Sequence, residues 1–219
     1  MPFRRERRQP STALTPSDDG IRLAARLQAE LGEDHRTLLF TGTAPGDGVT
    51  TVARRVAVAL AQMNEGEVLL VDAAVRDPAI HEAFGLEPLP GLADVITRKA
   101  TLEAAVHVSE FPGLSILVAG HSAVDGVSLF TSSGYADFVH EIRRAFRFVV
   151  FDSSAIMQCP ETALIAARMD GVVLVVAAGR RTRAEIRQAR EYLEGLRVNL
   201  LGIVLSQGRA AGEPRALAV

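Results

Sequence analysis

The apolar positions of this chain form six short runs, separated by stretches in which apolar and polar residues recur with helical spacing. The runs are rich in Val, Leu, Ile and Phe and do not alternate; they lie at residues 38–40, 68–71, 114–118, 148–151, 172–176 and 200–205. The helical stretches include residues 50–63, 131–146 and 182–195. Apolar runs without alternation are typical of strands that are buried on both faces. The pattern therefore predicts an α/β fold, with a doubly wound, mainly parallel sheet and helices on both sides.

Segments without apolar periodicity bound this region. Residues 1–16 contain three prolines and four closely spaced arginines, and we interpret them as a flexible basic arm. Such an arm is either solvated or in contact with anionic lipid or an acidic partner surface. Ser17 is the predicted N-cap of a helix that runs to Leu31. The domain is expected to span residues 17–207 and to be followed by a flexible tail over 208–219.

The composition restricts the classes of function that remain. The chain has 219 residues, of which 48% are hydrophobic, so global disorder is excluded. Its formal net charge of −2 argues against a basic nucleic-acid binder, and no nucleic acid is expected as a partner. No apolar run approaches the roughly 20 residues of a membrane span, and none follows the first arginines as in a secretory signal, so a cytoplasmic location is expected. The single cysteine, Cys159, excludes an internal disulfide, and the single lysine is Lys99.

A glycine-rich loop, Thr-Gly-Thr-Ala-Pro-Gly-Asp-Gly-Val-Thr-Thr over residues 41–51, follows the first predicted strand and precedes a helix. Two glycines in such a loop allow its N–H groups to turn inward, and the helix N-terminus adds partial positive charge, so the segment suits a phosphate. The residues expected to bind a nucleotide are Gly46, Asp47, Gly48, Val49, Thr50 and Thr51. Thr50 stands where the hydroxyl of a P-loop binds Mg²⁺, but Val49 stands where a P-loop has its lysine. A glycine-rich turn without a ligand is the alternative.

Two aspartates end buried strands of the predicted sheet. Asp72 follows the run at 68–71, and Asp152 follows the run at 148–151. An acidic residue at the carboxyl end of a parallel strand, beside a phosphate loop, is a typical ligand of Mg²⁺ or of its waters. We therefore predict a metal set of Thr50, Asp72 and Asp152, with both aspartates as catalytic candidates. Either aspartate alone could instead cap a loop or a helix.

These motifs together resemble those of the bacterial tyrosine kinases of capsule and exopolysaccharide synthesis, within the MinD/ParA group of deviant-Walker P-loop ATPases. The loop resembles the family's Pro-Gly-x-Gly-Lys-Ser/Thr motif, and residues 68–86 resemble its Asp-x-Asp-x-Arg-x-Pro-x-x-His segment. Residues 91–96, 146–154 and the last two apolar runs also match in order and spacing. The resemblance covers roughly residues 17–207.

The resemblance implies a P-loop NTPase fold of the MinD/ParA type that uses ATP and Mg²⁺. It adds Arg76 to the expected nucleotide-binding residues. It also implies a partner, the cytoplasmic end of a membrane polysaccharide co-polymerase, which would recruit the chain to the inner membrane. Members of the family phosphorylate a C-terminal tyrosine cluster in trans within a ring, so a homo-oligomer is implied as well.

This chain departs from the family at the positions that carry the chemistry. Val49 replaces the loop lysine, Ala74 replaces the second aspartate of the Asp-x-Asp segment, and Ser206 replaces the asparagine that ends the last strand. The C-terminal tail has no tyrosine; the two tyrosines, Tyr135 and Tyr192, fall in predicted helices. We therefore predict a catalytically impaired relative, a pseudokinase, that regulates polysaccharide synthesis and export and binds nucleotide weakly or not at all.

Two other functions stay open at this point. The first is an active kinase or ATPase in which an arginine such as Arg54, one turn into the helix after the loop, replaces the lysine. The second is a MinD/ParA-like positioning ATPase, although proteins of that type need loop lysines that this chain lacks.

The first helix has Asp19, Arg22 and Arg26 near the family's Glu-x-x-Arg-x-x-Arg oligomerisation motif, with the second arginine one place late. Three arginines, at 180, 181 and 183, follow the strand at 172–176. They have three alternative interpretations: they bind an anion, they contact an acidic partner surface, or they belong to an ordinary charged loop.

Overall fold

The computed structural model describes residues 17–31, 37–63, 67–121 and 124–206. The strands are β1 (Thr37–Gly42), β2 (Val68–Asp72), β3 (Val106–Val108), β4 (Leu114–Leu117), β5 (Phe148–Asp152), β6 (Gly171–Ala177) and β7 (Leu200–Ser206). The helices are α1 (Asp18–Leu31), α2 (Val49–Met63), α3 (Ile80–Phe84), α4 (Leu92–Ile96), α5 (Leu102–Ala105), α6 (Gly126–Thr131), α7 (Ser133–Ala145), α8 (Pro160–Ala166) and α9 (Arg183–Gly195). The predicted arm over 1–16 and the predicted tail over 208–219 lie outside the described residues.

The described strands form one sheet in the order β3-β4-β2-β5-β1-β6-β7. All neighbouring strands are parallel except β3, which is antiparallel to β4, so the prediction of a mainly parallel sheet is confirmed. Strand β3 was not predicted from the sequence. It has three residues, lies at the edge of the sheet, and leaves Val108 87% exposed, so it has no buried apolar pattern to detect.

The two faces of the sheet bury two separate hydrophobic clusters. Leu38 and Phe40 of β1 pack on the side of α1 and α2, whereas Leu39 packs on the side of α4, α7 and α8. This alternation follows from the strand geometry, in which successive side chains point to opposite faces. Because both faces are covered, the strands read as continuous apolar runs, and the prediction of helices on both sides is confirmed.

The helix boundaries agree with the sequence in the longer helices and differ in one of them. The hydroxyl oxygen of Ser17 accepts a hydrogen bond from the N–H of Gly20 at 3.2 Å, which fits the predicted start of α1. The single helix predicted over 131–146 is wrong at its start, since a break at Ser132 separates α6 from α7. Ser132 has extended backbone angles and caps α7, where its hydroxyl oxygen accepts from the N–H of Tyr135 at 3.2 Å. No helix in the described ranges is long and apolar enough to cross a membrane.

Candidate functional site

The sheet brings the predicted site residues together at its carboxyl edge. The adjacent strands β2, β5, β1 and β6 all end there, with Asp152 opposite both Asp72 and Phe40 in the register. Residues 43–48 leave β1 at this edge and lead into α2, so the loop lies beside Asp152. The Thr50 side chain, in the first turn of α2, lies close enough to the Asp152 carboxylate to lower its pKa through a hydrogen bond. The three residues predicted to bind Mg²⁺ therefore belong to one cluster.

The two glycines of the loop have the backbone conformation that the sequence predicts. Gly46 and Gly48 have φ angles of 82° and 83°, in the left-handed region that other residues rarely adopt. A Cβ on Gly46 would meet open space, whereas a Cβ on Gly48 would lie 3.0 Å from the hydroxyl oxygen of Ser206. The loop therefore has an open side at Gly46 and a side packed against the end of β7.

The side chain of Asp47 faces the protein rather than the open side of the loop. Its buried carboxylate accepts hydrogen bonds from the N–H groups of Thr43 at 2.9 Å, Ala44 at 3.0 Å and Ala177 at 3.3 Å. It also accepts from the Thr43 hydroxyl at 2.5 Å and from Nε of Arg181 at 2.6 Å. Burial raises the pKa of this carboxyl, but the hydrogen bonds outweigh burial and hold the pKa below its ordinary value. Asp47 thus shapes the loop, and its carboxylate is not available to a nucleotide.

The two buried aspartates differ in how their oxygens are used. Asp72 accepts hydrogen bonds from the N–H groups of Ala74 at 3.2 Å, Ala79 at 3.1 Å and Ile80 at 2.9 Å, so it caps the loop after β2 as well as the start of α3. Asp152 is 1% exposed, and its Oδ1 has no hydrogen-bond partner among the residues that the structure describes. A buried carboxylate oxygen without a partner is costly, so Asp152 has the better geometry of the two for a cation.

Burial also sets the protonation of this pair. Burial and the neighbouring charge of Asp72 together raise the pKa of Asp152 to about 8, against the opposing effects of the hydrogen bond from Thr50 and the charge of Arg54. Burial likewise raises the pKa of Asp72 to about 6, against its three backbone hydrogen bonds. When two buried carboxylates lie next to each other without a cation between them, ionising both costs free energy, because the two negative charges repel each other.

Val49 supplies only aliphatic surface at the position of a P-loop lysine. It is the first residue of α2, is half-buried, and packs against the cluster on the α1/α2 side of the sheet. A branched aliphatic side chain offers no charge to the phosphate groups of a nucleotide.

Three of the arginines that the sequence pointed to, Arg54, Arg76 and Arg181, contact protein partners. Arg54 donates to the carbonyl of Ala83 at 3.4 Å, and its guanidinium lies 4.9 Å from the centre of the Phe84 ring. Arg181 pairs with Asp47, as described above. Arg76 forms a two-pronged ion pair with Glu161, in which its Nη2 donates to Oε2 at 3.1 Å.

Sequence reasoning missed Glu161 altogether. This residue lies in the first turn of α8 and is buried, although an acidic residue after Cys159 and Pro160 reads as an ordinary helix start. Its burial comes from α6, since a Cβ on Gly126 would lie 3.0 Å from the Glu161 carboxylate. The predicted nucleotide ligand Arg76 is therefore oriented by a carboxylate from a distant helix.

The donor set fits a nucleotide and Mg²⁺ in part. Among the described residues, no three or more His, Cys, Asp and Glu side chains group as a metal site, so the predicted metal set depends on the Thr50 hydroxyl as well as on the two aspartates. The unpartnered Oδ1 of Asp152 beside that hydroxyl fits a cation that also holds phosphate oxygens and water. The open side of the loop fits a phosphate, whereas Val49 does not fit the role of the lysine.

The remaining predicted residues lie apart from this cluster. Tyr135 is buried in α7, where burial raises the pKa of its hydroxyl, whereas Tyr192 is 40% exposed on α9. Cys159 lies at the N-cap position of α8 without a capping hydrogen bond from its side chain, and it is half-buried. Arg22 and Arg26 are exposed on α1.

Comparison with known proteins finds relatives that are tyrosine-protein kinases of bacteria. No protein-family model matches it. It is 30% identical to the tyrosine-protein kinase YwqD of Bacillus subtilis over 178 residues, which cover 81% of this chain and 75% of that protein. The chain belongs to the bacterial tyrosine-protein kinase family. It is also 29% identical to the putative tyrosine-protein kinase EpsB of Ralstonia nicotianae, covering 87% of this chain but only 26% of that longer protein.

Solved structures agree with this family and with the fold. The chain matches the kinase domain of VpsO with a TM-score of 0.77 and 27% identity, covering 86% of this chain and 95% of that domain. It matches the septum site-determining protein MinD of Pyrococcus horikoshii, solved with Mg-ADP, with a TM-score of 0.67 and 21% identity, covering 84% and 74% of the two chains. The P-loop NTPase fold predicted for this bacterial tyrosine kinase relative is thus confirmed.

Proposed function

We propose that this chain is a catalytically impaired bacterial tyrosine kinase relative that regulates through binding rather than phosphoryl transfer. The observation that carries the proposal is the set of residues at the carboxyl edge of the sheet. The glycine-rich loop and the two buried aspartates are present there, but Val49 occupies the position of the positively charged lysine of a P-loop.

Without a lysine at position 49, the loop lacks a positive charge that would stabilise the phosphate during phosphoryl transfer. A cationic group at the transferring phosphate is worth about 10³–10⁵ in rate. The nearby arginines are poor substitutes, because Arg181 is neutralised by Asp47 and Arg76 by Glu161. Arg54 favours the runner-up function, an active kinase or ATPase with a substitute arginine, since its charge lowers the pKa of Asp152. Its guanidinium nevertheless rests on Phe84.

A nucleotide and Mg²⁺ remain the ligands that the site fits best. Loop amides between residues 43 and 48 and the N-terminus of α2 would hold the phosphates, and Thr50 with Asp152 would hold the metal. When bound, Mg²⁺ neutralises charge on the phosphate oxygens. Asp72 would keep the loop after β2 in place. The MinD structure with Mg-ADP supports such binding on this fold. We expect the missing lysine to make it weak.

The partner follows from the family resemblance. Bacterial tyrosine kinases of this type work with the cytoplasmic end of a membrane polysaccharide co-polymerase, so we propose the same partner here, with recruitment to the inner membrane. Exopolysaccharide or capsule synthesis and export is then the process that the chain regulates. A MinD/ParA-like positioning role is less favoured, because the loop has no lysine and the single lysine, Lys99, lies after α4.

Titration calorimetry with ATP and Mg²⁺, together with a phosphotransfer assay on a tyrosine peptide, tests the catalytic part of this proposal. We expect the wild-type protein to show no phosphotransfer and weak or no binding. Val49→Lys should bind at least about tenfold more tightly, a gain of about 1.4 kcal/mol. Gln62→Lys is the matched control, since it adds the same charge at an exposed position near the other end of the same helix. It should bind like the wild type.

Two results would overturn the proposal. Mg²⁺-dependent turnover by the wild-type protein that disappears in Asp152→Asn would establish an active enzyme with a substitute arginine. Equal binding by Val49→Lys and Gln62→Lys would show that position 49 has no special access to phosphate. The partnership is tested separately by pull-down with the cytoplasmic segment of the co-polymerase, and absence of binding would refute it.

A further inference from the structure

The phosphate-type loop is attached to a second loop that is distant in sequence. Arg181, in the segment between β6 and α9, donates from Nε to the Asp47 carboxylate at 2.6 Å and from Nη2 to the carbonyl of Pro45 at 2.9 Å. The same carboxylate accepts from the N–H of Ala177 at the end of β6. The β6–α9 segment therefore holds the loop at residues 45 and 47.

The contact is buried and its polar groups are satisfied. Asp47 is fully buried, and the Arg181 side chain is 17% exposed. Together the Asp47 carboxylate oxygens accept from five donors, two of them the N–H groups of Thr43 and Ala44 within the loop itself. Removal of the guanidinium would leave a buried charge with fewer partners, which is much costlier than loss of an exposed pair.

The end of β7 adds a third point of attachment. The hydroxyl of buried Ser206 donates to the backbone carbonyl of Asp47, and the N–H of Ala178 donates to the carbonyl of Ser206 at 2.7 Å. Ser206, at the position where the family has an asparagine, therefore holds the backbone of the loop through this hydrogen bond. The end of β6, the β6–α9 segment and the end of β7 therefore all hydrogen-bond to Asp47.

From these contacts we propose that Asp47 and Arg181 are positioning residues that keep residues 43–47 in a phosphate-accepting shape before any ligand binds. The ion pair adds no net charge, so it acts through the shape of the loop and not through attraction of the anion. The order of the loop then depends on the β6–α9 segment. The proposal rests on the nucleotide-binding function proposed above, and its ligand class is a nucleoside di- or triphosphate.

Hydrogen–deuterium exchange of the ligand-free protein tests this inference without reference to nucleotide binding. Arg181→Met keeps the aliphatic part of the side chain but removes the charge and both hydrogen bonds. We expect peptides that contain residues 43–47 to exchange at least about tenfold faster than in the wild type, while peptides from β5 are unchanged. Arg181→Lys keeps a charge near Asp47 and should restore part of the protection.

Arg180→Met is the matched control, because Arg180 is the exposed neighbour in the same segment. It should leave exchange of the loop at the wild-type rate. Wild-type exchange in Arg181→Met, or equal acceleration in the Arg180 variant, would overturn the positioning role.

A second measurement links the pair to the ligand. In the Val49→Lys background, Arg181→Met should weaken MgATP binding at least about tenfold, and Arg180→Met should not. If Val49→Lys binds no nucleotide, the proposed function fails, yet the exchange experiment still decides the positioning role. If Val49→Lys binds and Arg181→Met has no effect on binding, the positioning role is refuted and the proposed function stands.

Discussion

At the residue scale, Asp152 is the group whose charge is least compatible with its surroundings. Burial and the neighbouring Asp72 raise its pKa to about 8, whereas an aspartate in an unfolded chain titrates near 4. The folded protein therefore binds more protons than the unfolded chain between these values. The stabilisation that this proton provides is fully present below about pH 4 and is lost as the pH rises through about 8. Asp72, with a pKa of about 6, contributes in the same direction.

We predict that the wild-type free energy of unfolding, measured with urea in EDTA, decreases between pH 5 and pH 8. In Asp152→Asn this decrease should be smaller, because the neutral amide has no proton to lose and no longer opposes the charge of Asp72. Asp137→Asn, at an exposed site on α7, is the control and should keep the wild-type slope. A wild-type slope in Asp152→Asn would mean that Asp152 is already charged at pH 5.

At the scale of the element, α9 begins directly after the arginine that holds the loop. Its first turn is fixed by a capping box, in which the Thr182 hydroxyl oxygen accepts from the N–H of Glu185 at 3.2 Å, and the Glu185 carboxylate accepts from the N–H of Thr182 at 2.7 Å. Two N–H groups at the helix end are satisfied in this way. The position of Arg181 is thus set by the cap of the following helix as well as by Asp47.

Thr182→Ala should destabilise the protein by about 1 kcal/mol, since it removes the side-chain acceptor of the cap. Thr182→Ser keeps the hydroxyl and should remain close to the wild type. Urea denaturation of the three proteins is the measurement. Equal loss in the alanine and serine variants would assign the effect to the threonine methyl group and not to the cap.

At the scale of the whole molecule, the carboxyl and amino edges of the sheet differ in function. The carboxyl edge holds the candidate site. At the amino edge, Asp170, which precedes β6, connects neighbouring elements. The Asp170 carboxylate accepts from the N–H of Thr37 at 2.9 Å, from its hydroxyl at 2.7 Å and from Arg143 at 2.8 Å. One side chain therefore connects β1, β6 and α7 on the side away from the site.

Asp170→Ala should lower the free energy of unfolding by about 2–3 kcal/mol, because it leaves buried donors of Thr37 without an acceptor. Asp137→Ala removes an exposed ion pair with Arg98 from the same helix layer and should cost less than about 1 kcal/mol. Chemical denaturation compares the two. A similar, small loss in both variants would show that the amino edge is held by packing alone.

Much of this protein could be predicted from local patterns. The apolar runs predicted six of the seven described strands, because strands buried on both faces need apolar residues at successive positions. The glycines at 46 and 48 predicted the loop, since few other residues adopt its backbone angles. The absence of a lysine at position 49 can be read directly from the sequence, without any structure. Strand β3 and the break at Ser132 were not predicted, because a three-residue strand without a buried position and a single capping residue leave little periodicity.

The amino-acid sequence by itself determined the fold class, the family and the absence of a lysine from the loop, because each depends on residue type and on spacing along the chain. Only the tertiary structure decided which partners the charged residues have. The pairings of Asp47 with Arg181 and of Arg76 with Glu161 join segments 134 and 85 residues apart. Such contacts depend on the order of the strands and on burial, which no local pattern encodes. For the same reason, only the structure distinguished Asp72, whose oxygens accept from backbone N–H groups, from Asp152, whose Oδ1 has no partner within the described ranges.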